Sequence, residues 1–256
     1  NAGLKAIDDK SYEAAEAAFR YALKLTPTHG DARSGLAHSR AARVVEGNAS
    51  TKRSDAVGLT YAFERALIDD VAHAPLYRLA LAQVSAALGN VKNAKTWFDK
   101  ATSKAGATAQ AWVLKAQFEL GQGQAKSALK SAEEAIKLDA KNGVAYLHMG
   151  SAHIRDAQLS KAVDAFTKAT QYSPTAASWF QLGQAQLRLN QPAKAYQALA
   201  KAADLHVAPT NDANLMKRLG VAAFKVKRFD EAVRVLTRAA KLDKSPETMT
   251  NLAVSH

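Results

Sequence analysis

The stretch 143–175, GVAYLHMGSAHIRDAQLSKAVDAFTKATQYSPT, holds two helical patterns back to back. Tyr146, Met149, Gly150 and His153 recur at spacings of three and four, which places them on one face of a first helix. Ala162, Phe166 and Ala169 do the same on a second, and Pro174 stops it. The segment reads as a helical hairpin. Gly150 is the small residue that lets the two helices approach, and Ala82, Ala116, Gly183 and Gly220 keep the corresponding site small along the chain.

Outward from this stretch the pattern returns about every 34 residues, a period that belongs to stacked helical arrays whose units complete a core only with their neighbours. An alanine pair marks each return, as Ala94/Ala101, Ala128/Ala135, Ala162/Ala169, Ala195/Ala202 and Ala232/Ala239. The register predicts units at 3–29, 30–73, 75–108, 109–142, 143–175, 176–209 and 213–246, forming a single solenoid over 1–256. The first unit lacks most of its leading helix, and 247–256 opens a further or capping helix. In the second unit, helices are expected over 33–46 and 55–70, with an inserted loop at 47–54. A smaller insertion falls at 209–212.

Composition agrees with an all-α chain. Of 256 residues, 48% are hydrophobic, with only 6 prolines and 13 glycines, so helix is the locally favoured state almost throughout. No cysteine is present, which removes disulfides, thiolate metal sites and cysteine nucleophiles together. The chain starts at Asn1 without a basic-then-apolar leader, has no apolar run near the roughly 20 residues of a membrane span, and is read as a piece of something longer.

The repeat resembles the tetratricopeptide repeat (TPR), and the resemblance covers nearly the whole chain. It is carried by Trp112, Ala116, Ala128 and Ala135, by Tyr146, Gly150, Ala162, Phe166, Ala169 and Pro174, and by Trp179, Leu182, Gly183, Ala195 and Ala202. It implies a right-handed superhelical solenoid of about seven hairpins, serving as a binding scaffold, with the first helix of each hairpin lining the concave side. The lysine, asparagine and arginine clamp of co-chaperone relatives is not expected, because the matching sites hold apolar residues and glutamines, with Lys217 and Arg218 the only basic candidates.

Chemistry-bearing motifs are sparse. The sequence contains no P-loop, HExxH or GxSxG. Gly121-Gln122-Gly123 lies between two helices and reads as a hairpin turn rather than a phosphate loop. His148 and His153 stand five apart on a helix and diverge, a poor metal pair, and Glu133 and Glu134 are adjacent and diverge as well. Asn48-Ala49-Ser50 matches a glycosylation sequon of a kind common by chance. No catalytic residue, metal site or cofactor is expected.

Two surfaces remain. One site per first helix gives Leu79, Val113, Leu147 and Phe180; one turn further gives Gln83, Gln117, Ser151 and Gln184; a third line is Ala86, Leu120, Ile154 and Leu187. An apolar rail beside an amide rail suits a partner helix or extended segment, since Gln both donates to and accepts from a backbone. Each well-buried anchor would contribute about 1–2 kcal/mol before ordering costs. The second surface is basic. The formal charge is +12; residues 1–73 balance at ten basic against ten acidic, whereas 210–246 carries nine against four. Lys217, Arg218, Lys225, Lys227, Arg228, Arg234 and Arg238 form this patch, with Lys241 and Lys244 beside it, suited to an acidic protein surface more than to nucleic acid.

The expected function is a non-catalytic scaffold that captures a partner segment in the concave groove, within a bacterial envelope assembly for pilus formation, secretion or polysaccharide export. The periplasm or envelope is the expected location, with the cytoplasm the alternative. Other readings are a docking arm of a larger enzyme or export protein, an anionic-surface binder through the basic unit, and self-association through uncapped ends.

Overall fold

The computed structural model describes residues 2–8, 11–46, 49–69, 74–103, 107–205, 212–243 and 245–255, and every regular element among them is a helix. Asn48 of the sequon, Lys244 and most of the 209–212 insertion lie outside the described residues. The chain divides into two compact units, Asn1–Leu114 and Lys115–His256.

The first unit contains α1 (Ala2–Asp8), α2 (Tyr12–Leu25), α3 (Gly30–Glu46), α4 (Ala49–Asp69), α5 (Ala74–Ala87) and α6 (Val91–Ala101), and the start of α7 (Ala109–Gly121). Its largest core joins Ala41, Val44, Leu59, Phe63, Tyr77 and Leu81, with the Phe63 and Tyr77 rings stacked at 6.2 Å. Buried Glu16 ties α2 to α3, its carboxylate lying 3.0 Å from Arg20, 3.5 Å from Arg40 and 3.2 Å from Arg43. The expected loop at 47–54 is corrected here. α4 is already helical from Ala49, so 49–54 forms its first turns. The expected loop opened at Gly47, but 49–54 contains neither Gly nor Pro, and Ala49, Lys52 and Arg53 are good helix formers.

The second unit continues from the end of α7 through α8 (Ala125–Leu138), α9 (Gly143–Arg155), α10 (Leu159–Tyr172), α11 (Ala176–Arg188), α12 (Pro192–Asp204), α13 (Ala213–Lys225), α14 (Phe229–Leu242) and α15 (Pro246–Ser255). The leading helices start on side-chain caps, which satisfy amide donors that the helix itself leaves unpaired. Asn142 accepts from the Ala145 amide at 2.9 Å, Thr175 and Ser178 form a reciprocal capping box, and Asp212 accepts from the Asn214 and Leu215 amides. The following helices have no such cap at Gln124, Gln158, Gln191 and Arg228. They are entered instead through a tight turn with one residue in the left-handed region: Gly123 (φ 75°), Ala157 (56°), Asn190 (55°) and Lys227 (64°). Gly121-Gln122-Gly123 is thus a hairpin turn, closed by the Gly123 amide donating to the Leu120 carbonyl and the Gln124 amide to that of Glu119.

Close approach within the α9–α10, α11–α12 and α13–α14 hairpins comes from glycine, where the α5–α6 and α7–α8 hairpins carry Ala82 and Ala116. A Cβ on Gly150 would lie 2.5 Å from the Phe166 ring, and one on Gly220 would lie 2.5 Å from Leu236 Cγ. Phe166 and Leu236 fill the space so created and are almost wholly buried. Burial of a side chain this size contributes about 2–3 kcal/mol.

Candidate partner-binding surface

In the second unit α9 touches α11, and α11 touches α13, so the leading helices are neighbours. Leu147 on α9 and Phe180 on α11 occupy the same register, and both are half-buried. Each lends one side to the interior: Leu147 and Ile154 pack against the cluster of Phe166 and Leu182, while Phe180 and Leu187 pack against that of Leu199, Leu215 and Leu219. One turn on, Ser151 and Gln184 are half-buried too, and Gln117 on α7 is exposed. The Ser151 hydroxyl donates to the Leu147 carbonyl at 3.0 Å, which commits its proton and leaves its oxygen as an acceptor.

In the first unit Leu79 and Gln83 are half-buried on α5. Val113 departs from the expectation. It is 3% exposed and therefore a core residue, although it shares the register of Leu147. Leu120 is buried as well, at 8%.

On α13 the register continues as Lys217, Val221 and Phe224; the sequence reading named Lys217 only as a basic candidate and ended the apolar and amide lines at α11. The Lys217 side chain is only 12% exposed and donates to Glu247 Oε2 on α15 at 2.9 Å; Arg218 lies 3.8 Å from the same carboxylate. The hydrogen bond from Lys217 holds the Glu247 carboxyl below the usual carboxylate range. Arg228 is likewise engaged, 2.8 Å from Glu231 and over the Tyr196 ring at 5.0 Å, and the Tyr196 hydroxyl donates to Glu231. Lys225, Lys227, Arg234 and Arg238 are exposed. The basic patch is therefore two sets: three cations held by neighbouring carboxylates and four facing solvent.

The histidines do not converge. Burial pushes the His148 imidazole down to about 4, and its Nε2 is buried without a hydrogen-bond partner among the described residues. His153 is buried at 8% exposure and is lowered in the same direction, chiefly by burial. Among the described residues no three His, Asp or Glu side chains gather as metal ligands, and no helix is long and apolar enough to cross a membrane.

A tetratricopeptide-repeat family profile matches residues 109–142, and a second matches 147–213. Among solved structures, the type IV pilus biogenesis factor PilW superposes with a TM-score of 0.66 at 16% identity, over 85% of this chain and 98% of that one. The Cut9–Hcn1 hetero-tetramer of the APC/C gives 0.67 at 17% identity, over 99% of this chain and 48% of that one. YrrB, described as a TPR protein with an unusual peptide-binding site, gives 0.56 at 22% identity, over 62% and 81%. No curated protein sequence matches significantly. Repeated hairpins, glycine-spaced helix pairs and matched profiles make this chain a tetratricopeptide-repeat protein.

Proposed function

We propose that the chain is a non-catalytic scaffold that captures a segment of a partner protein on the face shared by its leading helices, the concave groove that a TPR array forms. The observation that carries this reading is the placement of Leu147 and Phe180 at equivalent sites on the adjoining helices α9 and α11, half-buried rather than sealed in the core, with Ser151 and Gln184 beside them. A partner's apolar side chains would bury against the two hydrophobes while its backbone bonds to Gln184 and the Ser151 oxygen. The setting we assign is a bacterial envelope assembly; the likeness in fold to a pilus biogenesis factor and the absence of cysteine support it.

A second reading places an acidic protein contact on the C-terminal helices, and the exposure of Lys225, Lys227, Arg234 and Arg238 favours it. Affinity capture from the source cell with wild type, Phe180→Glu and Gln184→Arg, at low and physiological salt, separates the two. Partners lost in both variants but retained in salt support the groove. Partners retained by both variants and lost in salt move the site to the basic helices, because solvent-exposed attraction is screened.

A further inference from the structure

The first unit carries a cleft of about 650 Å³ whose lining includes neither Leu79 nor Gln83, and its size falls within the range of ligand pockets. Its position follows from one departure from the repeat. At the site held by Trp112, Tyr146 and Trp179 in the next three hairpins, this hairpin has Arg78 on α5. Where the aromatic is present it fills space: the Tyr146 ring lies 5.6 Å from that of Tyr172, and Trp179 packs against the clusters around both Leu182 and Leu199. Arg78 instead lines an open cleft, facing Leu67 of α4 and Trp97 of α6. A charged residue at a motif aromatic, lining a volume left open among the described residues, breaks the local rule where function is expected to break it.

The lining is chemically sorted. Leu67 and the Trp97 indole supply an apolar wall for a ring. Arg78 and Lys100 supply positive charge against the single carboxylate of Asp99, and Lys100 Nζ sits over the Trp97 ring, 4.3 Å from its centre. Thr96 and Ser103 both donate their hydroxyl protons to backbone carbonyls, of Lys92 and Lys100, so toward the cleft their oxygens act as acceptors suited to a peptide N–H.

We infer that this cleft binds a partner peptide through an aromatic side chain adjacent to a carboxylate: the ring takes the place that the motif aromatic fills elsewhere, and the carboxylate pairs with Arg78 and Lys100. It is a second docking site, independent of the groove on α9 and α11.

The test uses N-acetylphenylalanine as probe, with N-acetylphenylalaninamide lacking the charge and N-acetylalanine lacking the ring. The chain has three tryptophans, so the indole N–H resonances of Trp97, Trp112 and Trp179 give one reporter and two internal controls in a ¹⁵N spectrum. Saturable shifts at Trp97 alone are expected, with about tenfold weaker binding for the amide, for the alanine probe and for Arg78→Gln, the loss of one charge-assisted contact or one buried ring. Arg78→Trp, which restores the motif, is expected to abolish binding and raise the unfolding midpoint. A Trp97 resonance unmoved at saturating probe, equal binding of acid and amide, or unaltered binding by Arg78→Gln would overturn the inference.

Discussion

Gly183 sits so near Leu199 that a Cβ built on it would meet Leu199 Cγ at 2.6 Å and the Ala195 carbonyl oxygen at 3.2 Å. The α11–α12 hairpin thus closes over a missing side chain, and the gap that glycine leaves is filled by a leucine with no exposed surface. Gly183→Ala is expected to destabilise the protein by about 1–2 kcal/mol, overpacking of about 1–3 kcal/mol set against the helix propensity that alanine adds. The two sites must couple. In a Leu199→Ala background, itself costing about 2–5 kcal/mol, the same Gly183→Ala change should be neutral or stabilising. Urea unfolding of the four proteins in the cycle checks this.

The left-handed turn site offers a change of opposite sign. Ala157 adopts φ 56° where Gly89 and Gly123 adopt the same region freely. Ala157→Gly should stabilise by about 1 kcal/mol, and Gly123→Ala should destabilise by a similar amount, since the left-handed conformation costs an L side chain about 1–2 kcal/mol, partly offset by the greater unfolded freedom of glycine. Asn190→Gly should gain less, because Asn tolerates this region. Denaturation midpoints of the three variants give the ranking.

His148 sets a pH dependence. Its folded pKa of about 4 lies below the unfolded value near 6.5, so as pH falls the unfolded chain takes up the proton first. Stability from this group is flat above about pH 7, declines through the window from about 6.5 to 4, and is flat again below. The loss amounts to at most about 3 kcal/mol. His38 and His153 are lowered by burial in the same direction and add to the slope. His148→Leu should flatten the curve in part, read as the change in urea midpoint between pH 7.5 and 4.5.

Lys217 and Glu247 anchor α15. Exposure of the Glu247 carboxylate limits the pair to about 1 kcal/mol or less, so Glu247→Gln should leave global unfolding nearly unchanged. Local opening is more sensitive than global stability. Amide hydrogen exchange across α15 should accelerate in Glu247→Gln while that of α9–α12 does not.

What the sequence made legible was whatever repeats. Alanine pairs, the small residue at Gly150 and Gly183, and the proline after α10 all follow from one packing geometry recurring, so a single chain carries several readings of each rule. What escaped was local. Val113 and Leu147 share a register, yet Val113 is sealed in the core, because exposure depends on the neighbours each helix meets rather than on its own periodicity. The engagement of Lys217 by Glu247 spans 30 positions and joins separate helices, which no charge count reveals. Helix α4 begins at Ala49, although the helical pattern read from the sequence resumes only at Asp55. Arg78 could have been found, since it breaks the aromatic register that Trp112, Tyr146 and Trp179 keep.

Site-specific photo-crosslinking in the source cell tests the scaffold reading most directly. A benzoylphenylalanine replacing Gln184, on the leading-helix face of α11, is compared with one replacing Lys168, exposed on α10. The account expects one discrete partner adduct from position 184 and none from 168, with the adduct lost when Leu147→Glu is added and helicity is retained. Adducts of equal yield from both positions, or an adduct at 184 that survives Leu147→Glu, would contradict capture on this face.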